Sequence, residues 1–198
     1  MFSLRKRRSA PQETELPRTK AAVLAAGGPL FVPRNLLQET FEAFVPYWRA
    51  GVETAAFWAG PDSEHLRTLT TLVLPTLFQT PGNYQVQPGS QQRLAHELRE
   101  QGLIVHAQVH THPSRWVGHS PTDDAQAYTT AEGGLSLVWP EYGRPMEQDL
   151  AAVGFHVRRG GRWVPLKDSA EREAHLRVVD SVIDLRWSIA AGRIHDKE

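Results

Sequence analysis

The chain has 198 residues, enough for one ordinary domain and too few for two. Hydrophobic residues make up 40% and charged residues 22%, the balance of a globular protein with a sizeable core. The 22 Lys and Arg offset 22 Asp and Glu, so no net field favours nucleic acid or an anionic membrane surface, and cysteine is absent. That absence excludes a disulfide scaffold, a thiol nucleophile and thiolate-bound zinc, and leaves any metal to His and carboxylate.

The charges are unevenly placed. Residues 1–20 carry Arg5, Lys6, Arg7, Arg8, Arg18 and Lys20 against Glu13 and Glu15, a net of +4, so the remainder sums to −4. This stretch is aperiodic and contains prolines, and residues 1–22 are expected to form a disordered basic tail. Ser9-Ala10-Pro11-Gln12-Glu13 stands where a signal peptide needs its apolar run. No apolar stretch approaches the roughly 18–20 residues needed to cross a bilayer. The chain therefore reads as soluble and cytoplasmic, with no membrane or nucleic-acid partner.

Leu30-Phe31-Val32-Pro33 predicts a short strand. From Arg34 onward Leu36, Leu37, Phe41, Phe44 and Val45 recur at helical spacing, with Pro46 expected to end or kink the helix. Gly51 to Gly60 predicts a strand, and Leu69 to Phe78 a second β-rich run interrupted by a proline. Pro81-Gly82-Asn83 is a turn. Ser90, as N-cap, opens a helix stopped at Gly102. Leu103 to His112 is a strand ended by Pro113, Ser120 to about Thr130 a helix, and Gly134 to Trp139 another strand. Val153 to Pro165 predicts a hairpin turning at Gly160-Gly161, and Ser169 to Ile189 a final helix. Mixed helices and strands point to one α/β (α+β) domain over residues 23–166, with residues 167–198 as a C-terminal helix packed on it.

The chemistry concentrates at His110-Thr111-His112, followed after seven residues by Ser120-Pro121-Thr122-Asp123. Residues two apart on a strand share a face, so both imidazoles can meet one ion. A third ligand, Asp123 from the next helix, would leave one tetrahedral position open, the pattern of a catalytic zinc site. Two nitrogens and a carboxylate suit zinc without excluding other divalent ions. Such chemistry needs a carboxylate to carry a proton from water to the leaving group. Glu53 is the best candidate, because an unpaired carboxylate in an apolar strand is costly unless it serves a purpose. Ser120 has a hydroxyl suited to an oxygen that becomes negative.

Plainer explanations exist for each group. Ser120-Pro121-Thr122-Asp123 is also a good helix start, with Ser as N-cap and Pro at the first position, and the two roles are compatible. Asp124 is the nearest rival ligand and is expected to face solvent. His106 shares the parity of His110 and His112, but a surface or core placement is favoured over a supporting role. His119 reads as a solvated loop residue. Glu64, Glu97 and Glu100 sit in polar contexts that suit solvation. Trp116 either lines a groove or is merely exposed; Trp58 and Trp139 belong in the core.

The order Glu53, His110-Thr111-His112, Ser120, Asp123 resembles the signature of the JAB/MPN (JAMM) zinc metalloproteases over about residues 29–166. The resemblance implies a mixed β-sheet flanked by helices, of cytidine-deaminase-like form. It implies zinc on His110, His112 and Asp123, Glu53 as general acid/base and Ser120 as oxyanion donor. The expected activity is removal of a ubiquitin or ubiquitin-like protein from a conjugate or precursor. Compact prokaryotic proteins of this type imply a place beside activating and conjugating enzymes, including anti-phage systems. Processing of a small sulfur-carrier protein and a non-catalytic MPN-like scaffold are the alternatives.

Overall fold

A computed structural model describes residues 28–63, 65–144 and 150–180. The expected basic tail lies outside the described residues. The elements run β1 (Leu30–Pro33), α1 (Arg34–Ala50), β2 (Ala55–Pro61), β3 (Thr71–Val73), β4 (Leu77–Thr80), β5 (Asn83–Val86) and α2 (Pro88–Glu100). They continue with β6 (Leu103–Thr111), α3 (Pro121–Gln126), β7 (Leu135–Trp139), β8 (Gly154–Arg159), β9 (Arg162–Pro165), α4 (Ser169–His175) and β10 (Leu176–Val179).

Among the described residues six strands form the main sheet in the order β3-β2-β6-β7-β8-β9. Only β6 and β7 run parallel; the other neighbours are antiparallel, so the sheet is mixed as expected. The central strand β6 sorts its side chains by the period-two rule. Ala107 and Val109 join a core with Trp58, Leu137, Trp139 and, from α1, Leu37 and Phe44. Trp139 meets Trp58 and Phe44 edge-on, with ring centroids 5.9 and 6.4 Å away. On the opposite face Phe57 and Ala59 pack with Leu94 and Leu98 of α2. Helices thus cover both faces, and Gln108 and His110 take alternate positions on β6, with His112 continuing the alternation just past its end.

Several expected boundaries move. α1 continues through Pro46 to Ala50 and stops at Gly51, whose φ of 66° places it in the left-handed region. Pro46 and Glu42 are both exposed, so the carbonyl that the proline leaves without its helix partner lies on the solvent side, where the loss costs least. Ser90 does not cap α2. Gln87 is the cap and Pro88 opens the helix, while the Ser90 hydroxyl accepts the Thr76 N–H at 2.9 Å. The run from Leu69 to Phe78 splits around Pro75 into β3 and β4, and β4 turns back through Pro81-Gly82 onto β5.

The long final helix is not formed. α4 spans only Ser169–His175, and Leu176–Val179 leaves it as β10, paired in parallel with β1 from Leu30↔Leu176 to Pro33↔Val179. Val178 and Val179 are β-branched, and β1 offers unpaired backbone groups that this strand satisfies. Residues beyond Asp180 lie outside the described residues.

A buried polar bond anchors α1 to the sheet. The Trp58 indole N–H donates to Thr40 Oγ1 at 2.9 Å, and that hydroxyl donates to the Leu36 carbonyl at 2.7 Å. Thr40→Val keeps the shape and strands the indole N–H in the core, so urea unfolding should show a loss of about 1–3 kcal/mol. An unchanged midpoint would show that this bond does not contribute.

Candidate metal centre

β6 ends at the site. His110 is fully buried and His112 is 4% exposed, and both project from the face opposite the tryptophan core. Thr111, between them, points the other way and accepts the Thr54 N–H on its hydroxyl at 3.0 Å. Its own N–H donates to the Thr54 carbonyl at 3.0 Å, so the segment carrying Glu53 is pinned to β6.

Asp123 arrives from the first turn of α3. The expected helix start is present in full: Ser120 Oγ accepts the Asp123 N–H at 3.1 Å, and Asp123 Oδ2 accepts the Ser120 N–H at 2.6 Å. Capping and convergence coexist. Asp123 Oδ2 lies 3.3 Å from His112 Nε2 and Oδ1 lies 3.6 Å from His110 Nε2. One donor atom from each of the three residues falls within 4.8 Å of the others.

The donor chemistry fits a cation. His112 Nδ1 lies 3.0 Å from the Trp116 carbonyl, which only accepts, so Nδ1 carries the hydrogen and Nε2 is free to ligate. Among the described residues neither nitrogen of buried His110 has a hydrogen-bond partner, a cost that a metal ion on Nε2 would offset. Burial holds His110 well below the ordinary histidine pKa, despite the Asp123 charge, so it is a neutral donor at physiological pH. Burial alone would raise the Asp123 pKa. The His112 hydrogen bond, the nearby His110 and the Ser120 contacts outweigh it and hold the carboxyl well below its usual range.

Glu53 is not inside a strand, as its sequence context suggested. It sits in the lead-in to β2, with its N–H on the Thr80 carbonyl at 3.0 Å and its own carbonyl accepting from Gln79 Nε2 at 2.9 Å. The β4–β5 hairpin therefore fixes the Glu53 backbone. Its side chain is buried as expected, and burial raises its pKa to about 7, with His112 lowering it and Asp123 raising it.

Among the alternatives, Glu97 and Glu100 are exposed on α2, and Glu64 lies outside the described residues. Trp116 is exposed but not idle: its ring stacks on His112 at 5.0 Å with 12° between planes. Behind it, Gly154 of β8 leaves no room for a Cβ against the Val117 carbonyl, so the loop from His112 to Ser120 is seated on the sheet.

His106 is a core residue held to the Pro61 carbonyl at 3.2 Å. A β-bulge between Trp58 and Ala59 makes it the extra residue of β6 and breaks the parity it seemed to share with His110. His119 is not solvated: its side chain is 5% exposed and contacts His110, His156 and Trp163. Asp124 is half exposed and bonds His119. Tyr84 and His156 gave no sequence signal. Tyr84 is the buried alternate residue of β5, 5.6 Å from His110, with a pKa raised by burial and by the charges of Asp123 and Glu53. His156 is buried on β8, and its part in the site comes from pairing across the sheet, Ser136↔His156.

No family model matches the chain. Probable metalloprotease y4jG of Sinorhizobium fredii (strain NBRC 101917 / NGR234) is 36% identical over 136 residues, 67% of this chain and 83% of that protein. A solution structure of a protein from Desulfitobacterium hafniense superposes with a TM-score of 0.55 at 14% identity, covering 77% of this chain and 94% of that one, a likeness of fold. A JAB1/MPN domain protein from Archaeoglobus fulgidus is 18% identical with a TM-score of 0.43, over 76% of this chain and 98% of that one.

A buried two-histidine, one-carboxylate group on a mixed sheet flanked by helices is the framework of a metallopeptidase-like protein. With its relative y4jG and its ordered Glu53, His110-Thr111-His112, Ser120 and Asp123, the chain belongs to the JAB/MPN family. Among the described residues no helix is long and apolar enough to cross a membrane.

The buried histidines predict acid sensitivity. Burial, then repulsion from His119, lowers the His156 pKa from 6.5 to about 4. Below pH 6.5 the unfolded chain binds this proton and the folded chain does not, so stability falls as pH drops toward 4 and is fully present above 6.5. The difference is about 3 kcal/mol. Urea unfolding across this range should show a shallower pH dependence for His156→Gln than for wild type; equal slopes would contradict the assignment.

Proposed function

We propose that the protein is a zinc-dependent isopeptidase or peptidase that releases a ubiquitin-like modifier from a conjugate or precursor. Family membership supports the peptidase class. The carrying observation is a buried carboxylate with a raised pKa, Glu53, within electrostatic reach of His112 and Asp123. His110, His112 and Asp123 would hold the zinc. When bound, zinc supplies a Lewis acid that acidifies water and polarises a carbonyl.

In this reading Glu53 takes the proton of the attacking water and returns it to the departing amine. A pKa of about 7 suits both transfers at neutral pH. Ser120 is placed by the same capping box as Asp123. Its oxygen accepts one N–H, so its own hydrogen is available to the carbonyl oxygen as negative charge develops. An extended, flexible modifier tail is the natural substrate for a site at a strand end bordered by the β4–β5 hairpin and exposed Trp116. Activating and conjugating enzymes of the same modifier would be its pathway partners.

Purified protein should contain about one zinc per chain by elemental analysis and cleave one member of a panel of ubiquitin-like and sulfur-carrier fusions. Glu53→Gln should keep the zinc and lose about 10²–10⁴-fold in kcat. Chelation should abolish cleavage, and zinc should restore it. Metal retention without cleavage of any panel member would favour a non-catalytic scaffold, and full activity in Glu53→Gln would remove the proposed proton carrier.

A further inference from the structure

α3 has six residues, and Asp123 is its one buried side chain. The helix thus buries no apolar side chain of its own, although it must deliver a carboxylate to two imidazoles. The nearest apolar anchor is Tyr128, two residues past its end, stacked on Phe57 at 4.2 Å. A chain of polar contacts running from half-exposed Asp124 into the sheet holds the helix in place. His119 Nδ1 lies 3.0 Å from Asp124 Oδ1, and His119 Nε2 lies 2.8 Å from Ser136 Oγ. A carboxylate only accepts, so Nδ1 donates and Nε2 of the neutral ring accepts the Ser136 hydroxyl. Ser136 Oγ in turn accepts from Gln108 Nε2 at 3.1 Å, and Gln108 Oε1 accepts the Tyr128 N–H at 3.0 Å.

Every donor in this sequence points the same way, an arrangement in which each bond polarises the next. It spans the elements that matter. Asp124 adjoins Asp123 on α3, Ser136 is on β7, and Gln108 shares a face of β6 with His110. His119 also meets His110 directly, with ring centroids 5.4 Å apart and planes at 84°. A ligating imidazole ordinarily donates its second N–H to a partner that fixes its orientation. His110 has none among the described residues, where the rings of His119, Tyr84 and His112 pack around it instead.

The geometry points to His119 as a positioning residue of the metal centre, tying α3 to the sheet through Asp124 and Ser136 and holding the His110 ring. This rests on the proposal that His110, His112 and Asp123 bind zinc. The loop between the second histidine and Ser120 thus carries a structural determinant of metal affinity.

The test measures zinc binding by competition with a chromophoric chelator, together with the visible spectrum of the cobalt-substituted protein. His119→Phe keeps a ring against His110 and removes both hydrogen bonds. It should keep its circular dichroism, weaken zinc binding about 10–100-fold and shift the cobalt bands. His119→Gln can still donate to Asp124 and accept from Ser136, and should bind zinc more tightly than His119→Phe. Wild-type zinc affinity and cobalt spectrum in folded His119→Phe would overturn the inference. If that variant does not fold, Ser136→Ala decides: weaker zinc binding sustains the tie, and unchanged binding overturns it. Failure of the wild-type protein to bind zinc would instead strike the metal reading itself.

Discussion

Asp123 carries two tasks with one carboxylate. It closes the first turn of α3 by taking the Ser120 N–H, and it faces His110 and His112. A six-residue helix has too few internal bonds to hold itself, so its direction is set at its start. The capping contacts supply that direction. Together with the larger effects of His112 and His110 they favour the ionised acid, which burial alone would oppose, so helix geometry and carboxylate charge are linked.

The sheet provides the other half. β6 is a central strand, paired with β2 on one side and β7 on the other, and its alternation separates two kinds of interior. One face is dry, built on Trp58, Trp139 and the α1 side chains. The other becomes polar toward the strand end, where Gln108, His110 and His112 follow the apolar patch under α2. Thr111 belongs to the dry side by direction yet spends its hydroxyl on Thr54, which pins the segment carrying Glu53 to β6, with the Glu53 carboxyl in electrostatic reach of His112. A single-residue slip of β6 would exchange the faces and destroy the core and the site together.

Burial then tunes the groups in opposite senses according to their charge. It raises Glu53, a carboxyl, and lowers His110 and His156, which are neutral when deprotonated. A carboxyl raised toward neutrality and a neutral imidazole thus arise from the same exclusion of water. The β4–β5 hairpin contributes to that exclusion through Tyr84 while holding the Glu53 backbone.

Most elements, and the residues that converge as His110, His112 and Asp123, could be read from local order along the chain. His110 and His112 are two apart, Asp123 stands at a helix start, and Pro81-Gly82 makes a turn; each signal is complete within a few residues. The features that resisted reading rest on partners far along the chain. Leu176–Val179 has helical spacing, but β1, some 146 positions earlier by the Leu30↔Leu176 pairing, makes it a strand. The bulge opposite Trp58 sends His106 to the core, and cross-strand pairing and loop packing bring His156 and His119 to the site. Period and capping are short-range properties, so composition and spacing encode them directly. Which histidine faces Asp123, which packs beside it and which enters the core depends on backbone groups and cavities that exist only once distant strands have paired.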